Sequence, residues 1–236
     1  MYKVNTRRLY RVLNYLDKIS AETDITVEDG RIVFKLLSPD QTNYTEVKLD
    51  YEEKLREPED HEPFRLNIKK TKKVLRTLDK KKDLKLITDQ GKYEIVQIPK
   101  MITLPKMVYE LKQEPNIGEP STKITLDSAE LVNGVKDALS LADDGDEILL
   151  SYKDEKLNVI YDDKPSSYKT SIDVENFSGG SSKCMFSANL LQNCLEKVDR
   201  VVSEVDLYIE EGKPLLIKGS NTYMSVHQFI APRITP

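Results

Sequence analysis

The chain repeats one pattern of elements at an offset of about 121 residues. Leu86–Lys92 and Leu207–Lys213 each read as a strand that ends in a polar turn with Gly-Lys, and a second strand follows each turn. A helix precedes each of these hairpins, after Phe64 and after Phe186, and another helix opens each half near Thr6 and near Asp127. Strand pairs are predicted between the helices, at 25–27 with 31–37 and at 147–152 with 156–161. Two copies of one α+β unit are the natural interpretation.

We therefore predict an α+β protein of two similar domains, each with two helices packed on antiparallel sheets. The N-terminal domain is predicted over residues 1–104, a connector over 105–120 and the C-terminal domain over 121–236. Pro105, Pro115 and Pro120 lie in the connector, which has no clean hydrophobic period. Proline fixes its backbone angle and lacks an N–H donor, so we expect this segment to be extended and exposed.

The composition is that of an ordinary globular protein, with 39% apolar and 32% charged residues in 236. The chain holds no apolar run of about 18 residues, the length that a transmembrane helix needs. The N-terminus leads into a charged amphipathic segment rather than an apolar signal core. We predict an intracellular, soluble protein with no membrane partner, in which Cys184 and Cys194 are reduced rather than joined in a disulfide.

Two helices in the first half, at about 7–19 and 68–78, have strongly basic polar faces. The face of the second helix carries five cations and no acid. Like charges four residues apart on a helix repel each other, and this arrangement indicates an anionic partner. The matching helices of the second half, at 127–142 and 187–200, carry cations that acids balance.

The formal charges of these helical segments are +3 for residues 6–19, +7 for 69–82, −2 for 127–142 and 0 for 187–200. They sum to +8 in a chain of net charge −4, so the remaining residues carry −12. Charge is segregated, and an acidic shell around basic helices is compatible with DNA binding. The predicted DNA-binding residues are Arg7, Arg8, Arg11, Lys18, Lys69, Lys72, Lys73, Arg76, Lys80, Lys136 and Lys197.

The pattern favours contact with phosphates rather than with bases. The sequence has no zinc-ligand spacing, no helix-turn-helix signature and no aromatic ladder for single strands. Lys and Arg on helix faces suit phosphate contacts, which are independent of sequence and sensitive to salt. We expect a protein that holds duplex DNA whatever its sequence.

Nothing in the sequence assembles a catalytic site. The two histidines, His61 and His227, lie in unrelated contexts, and no glycine-rich phosphate loop is present. The run 143–146 resembles a calcium-binding loop but lacks its closing glutamate, so it is interpreted as a polar turn. We predict no enzyme activity, no catalytic residues, no metal and no cofactor.

Four segments together resemble the PCNA-type DNA sliding clamps of archaea and eukaryotes. They are the tail Phe229–Ile234, the turn Leu37–Tyr44, the helix segment Thr71–Arg76 and the strand Gly212–Ile217. The resemblance implies the DNA-clamp fold and a ring of three subunits, a homotrimer or a heterotrimer, that encircles duplex DNA. It implies a processivity factor whose partners are a DNA polymerase, other replication and repair proteins and a clamp loader.

The resemblance also implies two interfaces. Residues 103–109 of one subunit would pair with residues 168–174 of its neighbour. A groove for partner peptides would involve Pro39, Tyr44, Ile117, Pro214, Ile230, Ala231 and Pro232. The protein would be cytoplasmic and associated with the nucleoid in an archaeal or viral setting, and nuclear in a eukaryotic one.

One alternative within the same fold stays open at this point. The weakly basic helices of the second half are compatible with a checkpoint-ring subunit, or with a polymerase accessory scaffold that forms no ring. The mass of the purified oligomer separates these possibilities.

Overall fold

Two compact units make up the chain in a computed structural model, which describes residues 1–38, 40–54, 63–89, 91–109, 115, 118–143, 145–163 and 165–233. Unit 1 comprises Met1–Ser38 and Thr45–Gln113, and unit 2 comprises Pro39–Tyr44 and Glu114–Pro236. The division after residue 113 falls inside the predicted connector, of which 110–114 and 116–117 lie outside the described residues. The boundaries at 104 and 121 stay predictions.

Unit 1 has two antiparallel sheets and two helices. Its described elements are β1 (Tyr2–Asn5), α1 (Thr6–Leu16), β2 (Glu22–Glu28), β3 (Arg31–Leu37), β4 (Asn43–Asp50), β5 (Glu53–Lys54), β6 (Phe64–Asn67), α2 (Ile68–Arg76), β7 (Asp83–Asp89), β8 (Lys92–Gln97) and β9 (Lys100–Pro105). The strand orders are β5-β1-β7-β8-β9 and β4-β3-β2-β6. The first two residues of β4 belong to the short segment that groups with unit 2.

Unit 2 repeats this arrangement. Its described elements are β10 (Thr122–Asp127), α3 (Ser128–Leu139), β11 (Glu147–Lys153), β12 (Lys156–Asp163), β13 (Ser166–Asp173), β14 (Asn176–Ser178), β15 (Ser182–Ser187), α4 (Ala188–Leu195), a 3₁₀ turn (Val198–Arg200), β16 (Glu204–Ile209), β17 (Leu215–Ser220) and β18 (Met224–Ile230). The orders are β14-β10-β16-β17-β18 and β13-β12-β11-β15. Each order is that of unit 1 with nine added to every strand number, which confirms the predicted repeat.

Three of the four helices begin at a side-chain cap. Asn5 accepts a hydrogen bond from the backbone N–H of Arg8, and Asn67 accepts one from that of Lys70. Asp127 caps α3 in the same way. A cap at this position satisfies an N–H group that has no partner inside the helix. These caps help α1, α2 and α3 to start directly where a strand ends.

The helices end earlier than their hydrophobic period predicted, and the largest difference is in α4. The predicted helix 187–200 stops at Leu195, and Lys197 adopts a left-handed backbone conformation with φ of 76°. The chain then buries Val198, Val201 and Val202 through a 3₁₀ turn. β-Branched residues are poor helix formers, so burying these valines in a tighter turn prevails over continuing the helix.

The apolar stripes of the helices form the cores of the two units. Leu9, Val12, Leu13 and Leu16 of α1 are buried, and their helical spacing places them on one side of the helix. In unit 2, a Cβ at Gly134 would lie 3.1 Å from the Thr170 side chain and 3.2 Å from that of Ile172, so glycine lets α3 pack closely on β13.

The two cysteines are free, as predicted, and both are buried. No helix in the described part of the chain is long and apolar enough to cross a membrane.

Candidate nucleic-acid interface

The helices α1 and α2 lie side by side in unit 1 and bring together cations that are about 60 residues apart in sequence. Two polar contacts join them: Lys72 Nζ lies 2.6 Å from Asp17 Oδ2, and Arg76 Nε donates a 3.3 Å hydrogen bond to the Tyr10 hydroxyl. Their shared outer face and the turn after α2 form what we call the basic surface. It consists of Arg7, Arg11, Lys69, Lys73, Arg76 and Lys80.

The charges of the basic surface are not balanced by ion pairs within the described part of the chain. Arg11 is half-buried and the other five are exposed, and none of the six makes an ion pair with a described residue. Several cations elsewhere are paired, as in Arg31–Asp50 at 2.9 Å and Lys213–Glu210 at 2.8 Å. Clustered positive charge without counter-charge is the electrostatic footprint of a nucleic-acid contact.

Tyr10 stands between two of these cations. Its hydroxyl accepts the hydrogen bond from Arg76, and Lys80 Nζ lies 4.3 Å from the centre of its ring. The hydrogen bond from Arg76 lowers the pKa of the Tyr10 hydroxyl, and the positive charges of Arg76, Lys80 and Lys72 add to the effect.

The prediction that Lys72 lies on the exposed face is wrong. Lys72 is 5% exposed, and its ammonium group pairs with Asp17 at the C-terminal end of α1. The reason is its position on the helix: it lies four residues after Ile68 and three before Leu75, which are both buried. Lys72 therefore fixes α2 against α1 and offers no charge to an outside ligand.

Two further cations predicted on α1 differ from the six. Arg8 is half-buried, and its guanidinium lies 3.6 Å from Glu52. Lys18 is exposed but lies beyond the end of α1, after the Asp17 cap. Neither belongs to the shared face of α1 and α2.

The helices of unit 2 present few charges. Lys136 is exposed on α3, next to the exposed Asp137. The exposed side chains of α4 are uncharged amides: Asn189, Gln192 and Asn193. The prediction that Lys197 lies on a helix face is wrong, since it occupies the break between α4 and the 3₁₀ turn, 3.8 Å from Glu196.

Sequence reasoning missed Tyr10, Asp17 and the exposed Lys70. A tyrosine between Arg7 and Arg11 in a basic helix is a weak signal in the sequence. Its contacts with Arg76 and Lys80 depend on tertiary packing across more than 60 residues, which the local pattern does not contain.

The predicted peptide groove is only partly open. Tyr44 and Ile230 are 1% and 0% exposed, so the expectation that they offer a surface to a peptide is wrong for the chain as it stands. Tyr44 packs against Phe229, and Ile230 pairs with Leu215 inside the sheet. Pro214, Ala231 and Pro232 are half-buried and accessible. Pro39 and Ile117 lie outside the described residues.

The tail after β18 is docked on unit 2. The backbone N–H of Ala231 donates to the carbonyl of Thr42 at 2.8 Å, and that of Arg233 donates to Met185 at 2.7 Å. The Arg233 guanidinium also lies 2.8 Å from Glu147. The accessible Ala231 and Pro232 are therefore held in place on both sides.

Two strands end their sheets. Within the described chain, β9 is the last strand of one sheet of unit 1, and β13 is the last strand of one sheet of unit 2. They overlap the predicted pairing segments 103–109 and 168–174. Large apolar side chains accompany β9: Ile98, Met101 and Val108 are 82%, 63% and 84% exposed. Unpaired strand edges with exposed apolar residues mark sites where another chain can pair.

The described residues of the acidic run, Asp143, Gly145 and Asp146, lie between α3 and β11 and outside both elements. The carboxylate of Asp146 accepts hydrogen bonds from the Asp143 N–H at 2.6 Å and from the Tyr161 hydroxyl at 2.8 Å. Asp144 and His61 lie outside the described residues. Among the residues that the structure describes, no group of three or more His, Cys, Asp or Glu could hold a metal ion.

Solved structures of sliding clamps share this architecture. The chain is similar to A. fulgidus PCNA, solved with the C-terminal region of FEN-1 bound, at 14% identity and a TM-score of 0.85 over 100% of this chain and 98% of that one. It is similar to a chain of the PCNA2–PCNA3 complex of Sulfolobus tokodaii at 17% identity and a TM-score of 0.85, over 98% of both chains. Thermococcus kodakaraensis PCNA gives 18% identity and a TM-score of 0.83, over 99% and 100%.

The chain has the DNA-clamp fold, as predicted. No protein-family model matches the sequence, and no curated protein matches it.

Proposed function

We propose that this chain is a subunit of a DNA sliding clamp, a processivity factor that encircles duplex DNA and tethers replication and repair enzymes to it. The observation that carries the proposal is the basic surface: five cations of α1 and α2, with Lys80 in the turn after α2, lie together and make no ion pair with a described residue. Such a surface binds phosphates independently of sequence, which lets a protein slide along DNA. The predicted DNA-binding role of Lys136 remains part of the proposal.

The two sheet edges support a ring. An edge on unit 1 and an edge on unit 2 let each chain pair with two neighbours head to tail. Contacts of this heterologous kind close into a ring when the rotation between subunits fits a whole number of copies. Closure would pair both edges and cover Ile98, Met101 and Val108. The proposed assembly is a homotrimer or a heterotrimer.

Partners would dock at the outer groove that Pro214, Ala231 and Pro232 border. The C-terminal region of FEN-1 bound to A. fulgidus PCNA is a precedent for a clamp that receives a segment of another protein. A docked polymerase stays near its template because the ring holds it at a high effective concentration. In this role the chain has no catalytic activity of its own, acts in the nucleoid or the nucleus, and depends on a loader to open the ring.

Two measurements test this function. Light scattering of the purified chain should give about three times 27.1 kDa. The oligomer is then dissociated by dilution and reassembled with closed circular duplex or with linear duplex, and both are challenged at about 0.5 M salt, where phosphate contacts are screened. The protein should stay on circles and leave linear DNA, and cutting the circles should release it.

Equal loss from circles and linear duplex would contradict topological binding. A monomeric mass together with that loss would favour the polymerase accessory scaffold that forms no ring.

A further inference from the structure

The side chain of Tyr10 contacts two cations of the basic surface at the same time. Arg76 Nε donates to its hydroxyl at 3.3 Å, and Lys80 Nζ lies 4.3 Å from the ring centre. Both cations are exposed, and neither pairs with an acid in the described part of the chain. One aromatic side chain therefore holds two like charges close together.

This arrangement costs free energy in the isolated chain. Arg76 ends α2 and Lys80 lies in the turn after it, and two like charges that contact the same side chain repel each other. The contact with the ring face offsets part of the repulsion, since the face of an aromatic ring attracts a cation. An anion that contacts both Arg76 and Lys80 would remove the remaining repulsion between them.

The geometry of Arg76 leaves the terminal amino groups of its guanidinium available. Tyr10 occupies Nε, so the two terminal amino groups of the guanidinium remain free to donate to a ligand. A guanidinium donates through two parallel N–H groups to the oxygens of a phosphate, and an ammonium group adds a second charge without a directional requirement.

The chain contains a natural comparison at Tyr208 in unit 2. Lys123 and Lys218 lie 5.8 and 5.0 Å from the centre of the Tyr208 ring. There, however, acids accompany both cations: Lys123 lies 2.9 Å from Asp206, and Lys218 pairs with Glu119. Acids of the same chain therefore neutralise the two cations beside Tyr208, whereas the two cations beside Tyr10 make no ion pair with a described residue.

We propose that Tyr10 holds Arg76 and Lys80 as a seat for one backbone phosphate of duplex DNA, an inference that rests on the proposed clamp function. Tyr10 is a positioning residue in this seat. The two cations contact the phosphate, and the tyrosine fixes their orientation before the DNA arrives.

Fluorescence anisotropy with a labelled 30-base-pair duplex at about 0.1 M salt tests the proposal on the full-length protein. Tyr10→Phe removes the hydroxyl and should weaken binding about 2-fold. Tyr10→Leu removes both contacts and should weaken it about 5-fold. The matched control Tyr208→Leu should bind as the wild type does.

A double-mutant cycle separates positioning from a general effect on the fold. In an Arg76→Ala, Lys80→Ala background, Tyr10→Leu should cause no further loss if it acts through these two cations. An equal loss in that background overturns the proposal, and so does wild-type affinity in both Tyr10 variants. Should Tyr10→Leu fail to fold, Tyr10→Phe in the Arg76→Ala background decides by the same rule.

The phosphate seat and the clamp function can be disproved separately. A wild-type protein that binds duplex with the expected salt dependence, together with unaffected Tyr10 variants, overturns the phosphate seat alone. A wild-type protein that does not bind duplex overturns the clamp function as well.

Discussion

The helix pairs of the two units can be compared residue by residue, because their caps align: Asn5 with Asp127, and Asn67 with Ser187. Several buried apolar positions keep their character, as in Leu9 with Leu131 and Leu75 with Leu195. Exposed positions do not. The exposed or half-exposed cations Arg7, Arg11, Lys69 and Lys73 correspond to Ala129, Asn133, Asn189 and Asn193.

The two sides of each helix are under different requirements. Packing against a sheet determines the buried side, so both copies retain apolar residues there. The outer side is free to specialise, and unit 1 carries a positive charge there that unit 2 lacks. Four of the six cations of the basic surface are therefore additions to a common scaffold rather than requirements of the fold.

The largest loss of DNA binding is expected when two cations of the basic surface are replaced by acids. Each phosphate contact changes the salt slope by about 0.9, which is worth about 8-fold in affinity at 0.1 M salt. Lys69→Glu with Lys73→Glu should weaken duplex binding by at least about 60-fold. The matched control is Lys85→Glu with Lys153→Glu, two exposed lysines on strands. Equal losses in the two double variants would show that only total charge matters.

The next effect concerns how the helices are joined. Asp17 and Lys72 correspond to Leu139 and Gln192, so the ion pair belongs to unit 1 alone. Lys72→Met should lower the free energy of unfolding by about 2 kcal/mol, because it leaves the largely buried Asp17 carboxylate without its partner. Gln192→Met, at an exposed position, should change it by less than about 0.5 kcal/mol. Urea unfolding measures the free energy of unfolding of both variants. Similar losses in the two would show that the ion pair does not distinguish unit 1 from unit 2.

The comparison also predicts a gain of binding. Asn193 occupies the place of Lys73, so Asn193→Lys should strengthen duplex binding by about 5-fold, somewhat less than a complete phosphate contact. Ser181→Lys adds the same charge on an exposed loop and should have little effect. A titration at low salt compares the two. Equal gains would mean that α4 does not face the duplex.

The smallest effect is expected at the buried position 194, which corresponds to Val74. Burial raises the pKa of the Cys194 thiol to about 12, and burial also raises that of Cys184. Because the thiolate is the reactive form, both should remain unmodified by iodoacetamide at pH 8 while an added Ser181→Cys thiol reacts. The reactivity of Cys194 should rise only as the pH approaches about 12. Rapid labelling of Cys194 at pH 8 would show that α4 opens.

The periodicity of the sequence was sufficient to predict the helices and strands, but it did not predict the role of each cation. The hairpins, the repeat and the buried stripes of α1 and α2 follow from local pattern, which short-range geometry determines. The pairing of Lys72 with Asp17 depends on a contact between helices 55 residues apart. The stop of α4 before Lys197 depends on how Val198 is buried. These outcomes require tertiary packing, which a helical projection of one segment leaves out.

Site-directed cross-linking tests the central claim, that the basic surface meets duplex DNA. A photoactivatable azide is attached to Lys73→Cys and, in a second protein, to Lys153→Cys, with the native cysteines buried in both. On closed circular duplex, we expect cross-links from position 73, spread over all sequences of the circle, and few from position 153. Cross-linking from position 153 that equals or exceeds that from position 73 would contradict the account.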